Sequence, residues 1–152
     1  MIDWGIFDDG SIPGQITTLC GSTRFLEVFD QANLLETLRG RIVLTISCNT
    51  KSDEALGLSE AVKYDLDRLH LRKIELAQRV LILNVGGYIG DSTFREMVYA
   101  MFLRKRIMFW EAPDKNSLLR RIGEEQQSGP HYMIRDAYQT VYHEELRVYP
   151  RG

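Results

Sequence analysis

Residues 80–85 read VLILNV, and residues 86–91 read GGYIGD directly after them. The first segment is a continuous apolar run of strand length, and the second is a glycine-rich turn. Apolar residues then follow at helical spacing from about residue 92 to residue 104. A strand, a glycine turn and a helix in this order form the repeating unit of a parallel α/β sheet.

The same alternation of strand and helix extends through most of the chain. Three further strands are predicted at residues 16–20, 41–47 and 106–110, the second of them buried on both faces. Helices are predicted at about residues 22–39, 59–79, 92–104 and 116–126, and residues 48–57 form a polar loop. This pattern predicts a flavodoxin-like or Rossmann-like fold, which is a doubly wound parallel sheet with helices on both faces. The expected strand order is 2-1-3-4, with or without a fifth strand.

A single domain is expected to contain the whole chain of 152 residues. The composition is 44% hydrophobic and 26% charged, which is ordinary for a globular protein and excludes the disordered and fibrous classes. The α/β core spans residues 15–126, after an irregular lead-in at residues 1–14. Residues 127–152 form an aromatic-rich tail, which we expect to fold as an amphipathic helix or to pair with a partner subunit.

Charge and cysteine usage exclude several classes of function. Lys and Arg total 19 against 21 for Asp and Glu, so binding to a nucleic-acid polymer is not expected. No apolar run approaches the roughly 18 residues that span a bilayer, and the first residues lack the pattern of a signal peptide. Two cysteines and three histidines at these spacings predict neither a disulfide framework nor a zinc site. We therefore expect a soluble, cytoplasmic protein with reduced cysteines.

The predicted topology indicates where a ligand would bind. In a doubly wound sheet, ligands lie beyond the carboxyl ends of the strands on either side of the point where strand order reverses. These are the segments after strands 1 and 3. The candidate substrate-binding and phosphate-binding residues in them are Gly21, Ser22, Thr23, Arg24, Gly87, Tyr88, Gly90, Ser92 and Thr93.

Each of these two segments has a functional and a structural interpretation. The first segment offers hydroxyls and the Arg24 guanidinium at a helix N-terminus, where an anion is stabilised. Alternatively, Ser22 is only an N-cap and Arg24 is solvated. In the second segment the glycines allow close approach of a ligand, and Tyr88 can stack on a base or a sugar. The same glycines can serve the turn alone.

Three residues on the predicted helices are candidates for acid–base or nucleophilic chemistry. Glu96 follows strand 3 in the first turn of its helix, where it also fits a capping box with Thr93. Asp67 and His70 are three residues apart on the long helix and can form a carboxylate–imidazole pair. A solvated helix face is the structural alternative for that pair.

Three motifs together resemble the nucleoside 2-deoxyribosyltransferase-like superfamily. They are LCGSTR at residues 19–24, RKIELA at residues 72–77 leading into the strand, and GDSTFREMVYA at residues 90–100. The resemblance covers about residues 16–111. It is strongest with the branch of deoxynucleoside 5′-monophosphate N-glycosidases.

The resemblance implies a role for each matching residue. Glu96 matches the nucleophile that attacks the anomeric carbon and releases the base, in the two-step manner of retaining glycosidases. The loop of Gly21, Ser22 and Arg24 matches the one that holds a 5′-phosphate, while Gly90 and Ser92 match positions at the phosphate or sugar. The family forms dimers or larger assemblies and uses no metal or cofactor.

Two positions depart from the family pattern. Thr17 and Thr18 stand where many members have a tyrosine, and His70 stands where they have an aspartate that serves the leaving base. His70, with Asp67 one turn away, is then the expected acid.

We expect hydrolysis of the N-glycosidic bond of a (deoxy)nucleoside 5′-monophosphate, yielding free base and sugar 5-phosphate. Three alternatives stay open. They are a deoxyribosyltransferase that exchanges bases, a nucleotide-binding sensor without catalysis, and an enzyme that cleaves a dinucleotide by the same chemistry.

Overall fold

Five parallel strands form one sheet in the computed structural model, which describes residues 14–46, 57–127 and 132–151. The strands are β1 (Ile16–Cys20), β2 (Ile42–Leu44), β3 (Arg79–Ile82), β4 (Arg106–Phe109) and β5 (Arg147–Val148). Their order is β2-β1-β3-β4-β5, and every neighbouring pair is parallel. The doubly wound order predicted from the sequence is confirmed, and a fifth strand extends it.

Five helices connect or flank these strands within the described ranges. They are α1 (Leu26–Leu38), α2 (Glu60–Leu76), α3 (Asp91–Phe102), α4 (Lys115–Gln127) and α5 (Tyr132–His143). Short 3₁₀ turns at Thr23–Phe25 and Val85–Gly87 follow β1 and β3. In the part of the chain that the structure describes, no helix combines the length and the apolar character needed to cross a membrane.

Alternating side chains of the strands build two separate cores, one on each face of the sheet. On one face Cys20, Val80 and Ile82 pack with residues of α2 to α5. On the other face Leu19 and Leu81 pack with residues of α1 and with Trp110 and Tyr149. Successive strand residues point to opposite faces, so both faces of β1 and β3 need an apolar cover.

The ends of the predicted strands differ from the observed ones. Residues 41–47 are predicted as a strand buried on both faces, but β2 is only Ile42–Leu44, and Ile42 is exposed. The prediction of burial is wrong because β2 is an edge strand that pairs with β1 alone. The predicted strand at 80–85 ends at Ile82, because the chain turns at Val85–Gly87. Residues 1–13 of the lead-in and residues 47–56, which include most of the predicted polar loop, lie outside the described residues.

The C-terminal tail completes the fold. Its predicted amphipathic helix is α5, which buries Ile134, Ala137 and Val141 against the core. After α5 the chain forms β5 beside β4, and Tyr149 stacks on Trp110 with ring centroids 5.7 Å apart. The tail therefore contributes both an outer helix and an edge strand.

Sheet register places the ends of β1, β3 and β4 side by side. Cys20 is paired with Ile82, and Ile82 with Phe109. The two segments that follow β1 and β3 consequently leave the same edge of the sheet as neighbours. The α2 and α3 helices cover the face of the sheet on which Cys20 lies.

Candidate functional site

Three reactive side chains from three different elements meet where β1 ends. They are Cys20 at the last position of β1, His70 on α2 and Glu96 on α3. The Cys20 Sγ atom lies 3.4 Å from His70 Nε2, and the same nitrogen lies 3.7 Å from Glu96 Oε2. Cys20 is fully buried, whereas the Glu96 side chain is 15% exposed and the His70 side chain 8%. Glu96 is thus the member of the cluster that solvent or a ligand reaches most easily.

The Glu96 carboxyl has an unusual affinity for its proton. Burial raises its pKa to about 8, and the negative charge of Asp67 acts in the same direction. The positive charge of Arg95 opposes both effects. At neutral pH this carboxyl is therefore mostly protonated.

The imidazole of His70 is shifted in the direction that keeps it neutral. Burial lowers its pKa to about 4, aided by the positive charge of Lys73 and opposed by a hydrogen bond with the Leu19 backbone. The separation of 3.7 Å between His70 and Glu96 is within ion-pair range. Because both pKa shifts favour the uncharged forms, we describe the two groups as a neutral pair rather than as a salt bridge. Burial likewise raises the pKa of the Cys20 thiol, and the nearby Glu96 adds to the effect.

Glu96 does not form the capping box that the sequence also allows. The α3 helix begins at Asp91 with Gly90 as its N-cap, so Thr93 lies inside the helix and is 3% exposed. Glu96 is consequently in the second turn, and its carboxyl lies beside His70. The capping interpretation, and with it the first-turn position, is wrong because the helix starts two residues before Thr93.

His70 contacts different partners from the one expected. Asp67 is exposed on α2, whereas His70 is buried with its Nε2 atom near Cys20 and Glu96. Asp67 acts on this cluster through its charge, which raises the pKa of Glu96. Asp67 therefore remains near the site without forming the expected pair.

The two predicted ligand segments contact each other. The Arg24 guanidinium lies over the Tyr88 ring at 4.2 Å from its centroid, and the Phe25 ring meets Tyr88 edge-on at 6.0 Å. Arg24 and Tyr88 are both exposed. The Ser22 hydroxyl accepts a hydrogen bond of 3.3 Å from the Arg24 backbone and caps the short 3₁₀ turn at Thr23–Phe25, whereas the N-cap of α1 is Phe25. The Thr23 side chain is exposed in the same turn.

Glycines give the second segment its shape. Gly86 and Gly87 have φ values of +62° and +80°, the left-handed region that favours glycine. Both glycines are exposed beside Tyr88. Gly90 lies close to the same side chain, since a Cβ added to Gly90 would be 3.2 Å from the Tyr88 hydroxyl. Ser92 is exposed at the start of α3, where its hydroxyl accepts a weak hydrogen bond of 3.4 Å from Arg95.

The threonines that depart from the family pattern have structural roles. Both are fully buried. The Thr17 hydroxyl donates to Glu36 at 3.0 Å, and the Thr18 hydroxyl donates to the Lys73 carbonyl at 2.8 Å. They therefore attach α1 and α2 to β1.

Three residues outside the predicted set hold the second segment in place. The Asn84 side chain donates to the Glu111 carbonyl and accepts from the Glu111 N–H, both at 2.9 Å. The Glu111 carboxylate also accepts from the Gly86 N–H. From α4, Arg121 donates to the Ile89 carbonyl at 2.5 Å and to Asp91 at 3.0 Å. An amide at the end of an apolar strand is the signal that Asn84 offered, whereas nothing local to Arg121 marked it.

A cavity of about 510 Å³ lies elsewhere, against β4 and α5. Arg104, Lys105, Arg106 and Arg147 are among its lining residues, together with Glu144 and Glu145. None of the candidate residues lines it. We assign the candidate site to the cluster of Cys20, His70 and Glu96 because reactive groups with shifted pKa values, rather than volume, indicate chemistry.

Comparison of the chain with protein-family models, with curated proteins and with solved structures finds no match.

Proposed function

We propose that this protein hydrolyses the N-glycosidic bond of a nucleoside 5′-monophosphate, with Glu96 as the nucleophile. One observation carries the proposal. A carboxyl with a raised pKa lies beside His70, at the carboxyl ends of the strands, where the two candidate ligand-binding segments begin. In doubly wound folds, ligands bind at this edge.

A buried carboxylate suits attack on an anomeric carbon. With a pKa of about 8, about a tenth of Glu96 is ionised at pH 7. The ionised form is basic and poorly solvated, which favours bond formation with the sugar. Attack forms a bond from the carboxylate oxygen to the anomeric carbon while the bond to the base breaks. Water then cleaves the glycosyl-enzyme and gives sugar 5-phosphate.

His70 supports the departure of the base. When Glu96 loses its proton, the new negative charge 3.7 Å away stabilises a protonated imidazole. This loss is the transfer of the pair's single proton from Glu96 to His70, and His70 passes the proton on to the departing base. Asp67 contributes a second negative charge that favours the imidazolium form.

The binding segments supply contacts that suit a phosphorylated substrate. Arg24 offers an exposed guanidinium over Tyr88, which suits bidentate contact with phosphate oxygens. The α3 helix begins at Asp91 and its N-cap Gly90 has no side chain to cap it, so the first N–H groups of α3 can donate hydrogen bonds to an anion. A transferase that uses plain nucleosides does not need Arg24.

Base release separates these functions. Four proteins are incubated with ribonucleoside and deoxynucleoside monophosphates and with nucleosides. They are wild type, Glu96→Gln, Arg24→Ala and the control Glu124→Gln, which alters an exposed glutamate on α4. We expect base release by wild type and by the control, from monophosphates only. Glu96→Gln should release none, and Arg24→Ala should lose most of its activity. Nucleoside turnover that is insensitive to Arg24→Ala would contradict the hydrolase. Exchange of an added free base would instead identify a transferase.

One observation favours the sensor as a second candidate. Glu96 and His70 are both mostly neutral at pH 7, a resting state without a charged catalytic group. A sensor would bind nucleotide and raise its melting temperature in wild type and in Glu96→Gln alike, and neither protein would release base.

We also propose a homodimer formed through α2. Four apolar side chains on this helix are 41–52% exposed: Val62, Leu66, Leu69 and Leu76. Their spacing of four, three and seven residues places them on one stripe. Residues 60–67 carry three acidic residues and one lysine, whereas residues 68–76 carry three basic residues and one glutamate. An antiparallel second copy of α2 would cover the stripe and set opposite charges against each other.

A further inference from the structure

The cluster of Cys20, His70 and Glu96 has the composition of a metal site. It offers one sulfur, one nitrogen and one oxygen donor from β1, α2 and α3. All three donor atoms lie within 4.8 Å of one another. The three elements that carry them are packed around the buried core, so the donors are held by the fold rather than by a loop.

Two of the three donor separations are close to those around a single tetrahedral ion. Zinc bond lengths of about 2.3 Å to sulfur and about 2.0–2.2 Å to nitrogen or oxygen imply about 3.5 Å between S and N and about 3.4 Å between N and O. The observed distances are 3.4 Å from Cys20 Sγ to His70 Nε2 and 3.7 Å from His70 Nε2 to Glu96 Oε2. Movements of the donor atoms by a few tenths of an ångström would therefore allow Cys20 and His70, and likewise His70 and Glu96, to bind one ion together.

The kinds of donor select the kind of ion. Mg²⁺ and Ca²⁺ prefer oxygen ligands alone, whereas Zn²⁺ and Co²⁺ accept thiolate, imidazole and carboxylate together. A thiolate and a carboxylate carry two negative charges, which equal the charge of the ion. The charge of Asp67 favours a cation nearby, and that of Lys73, which acts on His70, opposes it.

The cluster has one side that solvent reaches. Cys20 and His70 are buried, while Glu96 is the member that solvent reaches. Three protein ligands with a fourth position open to solvent is the arrangement of a zinc site that accepts an exchangeable ligand.

We propose that Cys20, His70 and Glu96 bind one Zn²⁺ ion, with the fourth position open at the Glu96 side. This site goes beyond the proposed glycosidase. The bound ion occupies the Glu96 oxygen and the His70 nitrogen that hydrolysis requires, so zinc inhibits base release.

Cobalt binding tests the site without reference to activity. The chelator-treated full-length chain is titrated with Co²⁺, and the absorption spectrum is recorded before and after addition of Zn²⁺. We expect one ion per chain, a thiolate-to-cobalt charge-transfer band, intense visible bands typical of four-coordinate cobalt, and loss of both on adding zinc.

Matched variants assign the ligands. Cys20→Ser should lose the charge-transfer band, and His70→Ala and Glu96→Gln should each weaken binding about tenfold or more. The controls Cys48→Ser and His143→Ala alter the other cysteine and a histidine on α5, and should keep the wild-type spectrum. Should Cys20→Ser fail to fold, His70→Ala and Glu96→Gln provide the same test. A wild-type spectrum without a thiolate band, or its loss in Cys48→Ser, would overturn the proposal.

Failure of the zinc site and failure of the glycosidase give different results. Base release is measured with a chelator present, so the hydrolase is tested whether or not zinc binds. Cobalt absorption is measured without nucleotide, so the site is tested whether or not the protein is an enzyme. If both hold, added zinc should abolish base release by wild type, and chelator should restore it.

Discussion

At the scale of single residues, the chemistry of the candidate site depends on Glu96 and His70 being deprived of water. Burial is the largest cause of the pKa shift of each, and it moves the two pKa values in opposite directions, to about 8 and about 4. The result is a pair that holds one proton on the carboxyl across the neutral range. Asp67 is exposed on α2, and its negative charge raises the pKa of Glu96.

The rate of base release should follow the ionisation of Glu96. In chelator-treated protein we expect kcat/KM to be level at neutral pH and to fall above about pH 8, since loss of the proton that Glu96 and His70 share leaves no acid for the departing base. Asp67→Asn removes a negative charge that raises the Glu96 pKa, so the midpoint should move to lower pH. His70 and Cys20 also face Glu96, and Arg95 opposes Asp67.

Asp65→Asn is the matched control for this prediction. It removes an exposed carboxylate from the same helix and should leave the midpoint unchanged. Initial rates at low substrate between pH 5.5 and 9.5 give the midpoints. A profile that is flat over this range in wild type would contradict the role of Glu96.

Stability should also depend on pH through the same two groups. The folded-state pKa of Glu96 is raised above the ordinary value of 4.5. Its contribution to the free energy of unfolding is therefore fully present below about pH 4.5 and is lost as pH rises to about 8. The folded-state pKa of His70 is lowered from 6.5 to about 4, so its contribution is present above about pH 6.5 and is lost as pH falls to 4. Between pH 4.5 and 6.5 the two effects oppose each other, and only that of Glu96 acts from pH 6.5 to 8.

Glu96→Gln isolates this effect. From pH 6.5 to 8 we expect the free energy of unfolding of wild type to fall by about 1–2 kcal/mol more than that of Glu96→Gln. Urea unfolding at the two pH values measures the difference, with Glu124→Gln as the exposed control. Equal slopes for wild type and Glu96→Gln would show that Glu96 has an ordinary pKa.

At the scale of elements, the loop after β1 depends on close packing at Gly21. A Cβ added there would lie 3.0 Å from the Leu83 Cβ atom and 3.3 Å from the Phe29 ring. Leu83 and Phe29 are both about 1% exposed and belong to the core beneath α1. The absence of a side chain therefore allows the chain to turn from β1 toward the site without separating α1 from the sheet.

Gly21→Ala should destabilise the protein by about 1–3 kcal/mol, because neither Leu83 nor Phe29 can move without disturbing the core. Gly90→Ala is the comparison. The three atoms nearest to its Cβ would all belong to the exposed Tyr88 side chain, which can move away. Urea unfolding of both variants measures the two costs. An equal or larger cost for Gly90→Ala would contradict the packing role of Gly21.

At the scale of the whole molecule, the proposed homodimer depends on the exposed apolar stripe of α2. Leu69 lies in the middle of the stripe, so a two-fold axis across α2 would place it near its own copy. A charge at this position would repel the same charge on the partner.

Leu69→Lys should therefore convert the dimer to a monomer without lowering the stability of each chain. Leu34→Lys is the control, because Leu34 is a similarly exposed leucine on α1 and is 58% exposed. Sedimentation equilibrium of the three proteins gives their masses. A monomeric wild type, or a dimeric Leu69→Lys, would show that α2 is not the interface.

Sequence patterns predicted the elements better than their ends. The apolar runs at β1 and β3 and the helical spacing of α2 and α3 are local properties of the chain, and all four elements are present. The extent and burial of β2 were wrong, because the position of a strand in the sheet depends on residues far along the chain. The capping box at Thr93 was wrong for a related reason, since Gly90 competes as the start of α3.

By itself, the sequence determined the alternation of strand and helix, the doubly wound order and the two segments that leave one edge of the sheet. It also marked Glu96, His70 and Arg24 as candidates. Only the tertiary structure decided that Cys20, 50 residues from His70 in the chain, lies beside it and that Asp67 does not pair with it. The physical reason is the short distance along the chain over which a sequence pattern reports contacts. Periodicity reports neighbours within one helical turn or one strand, whereas the sheet order and the packing of α2 and α3 bring distant residues together and deprive them of water.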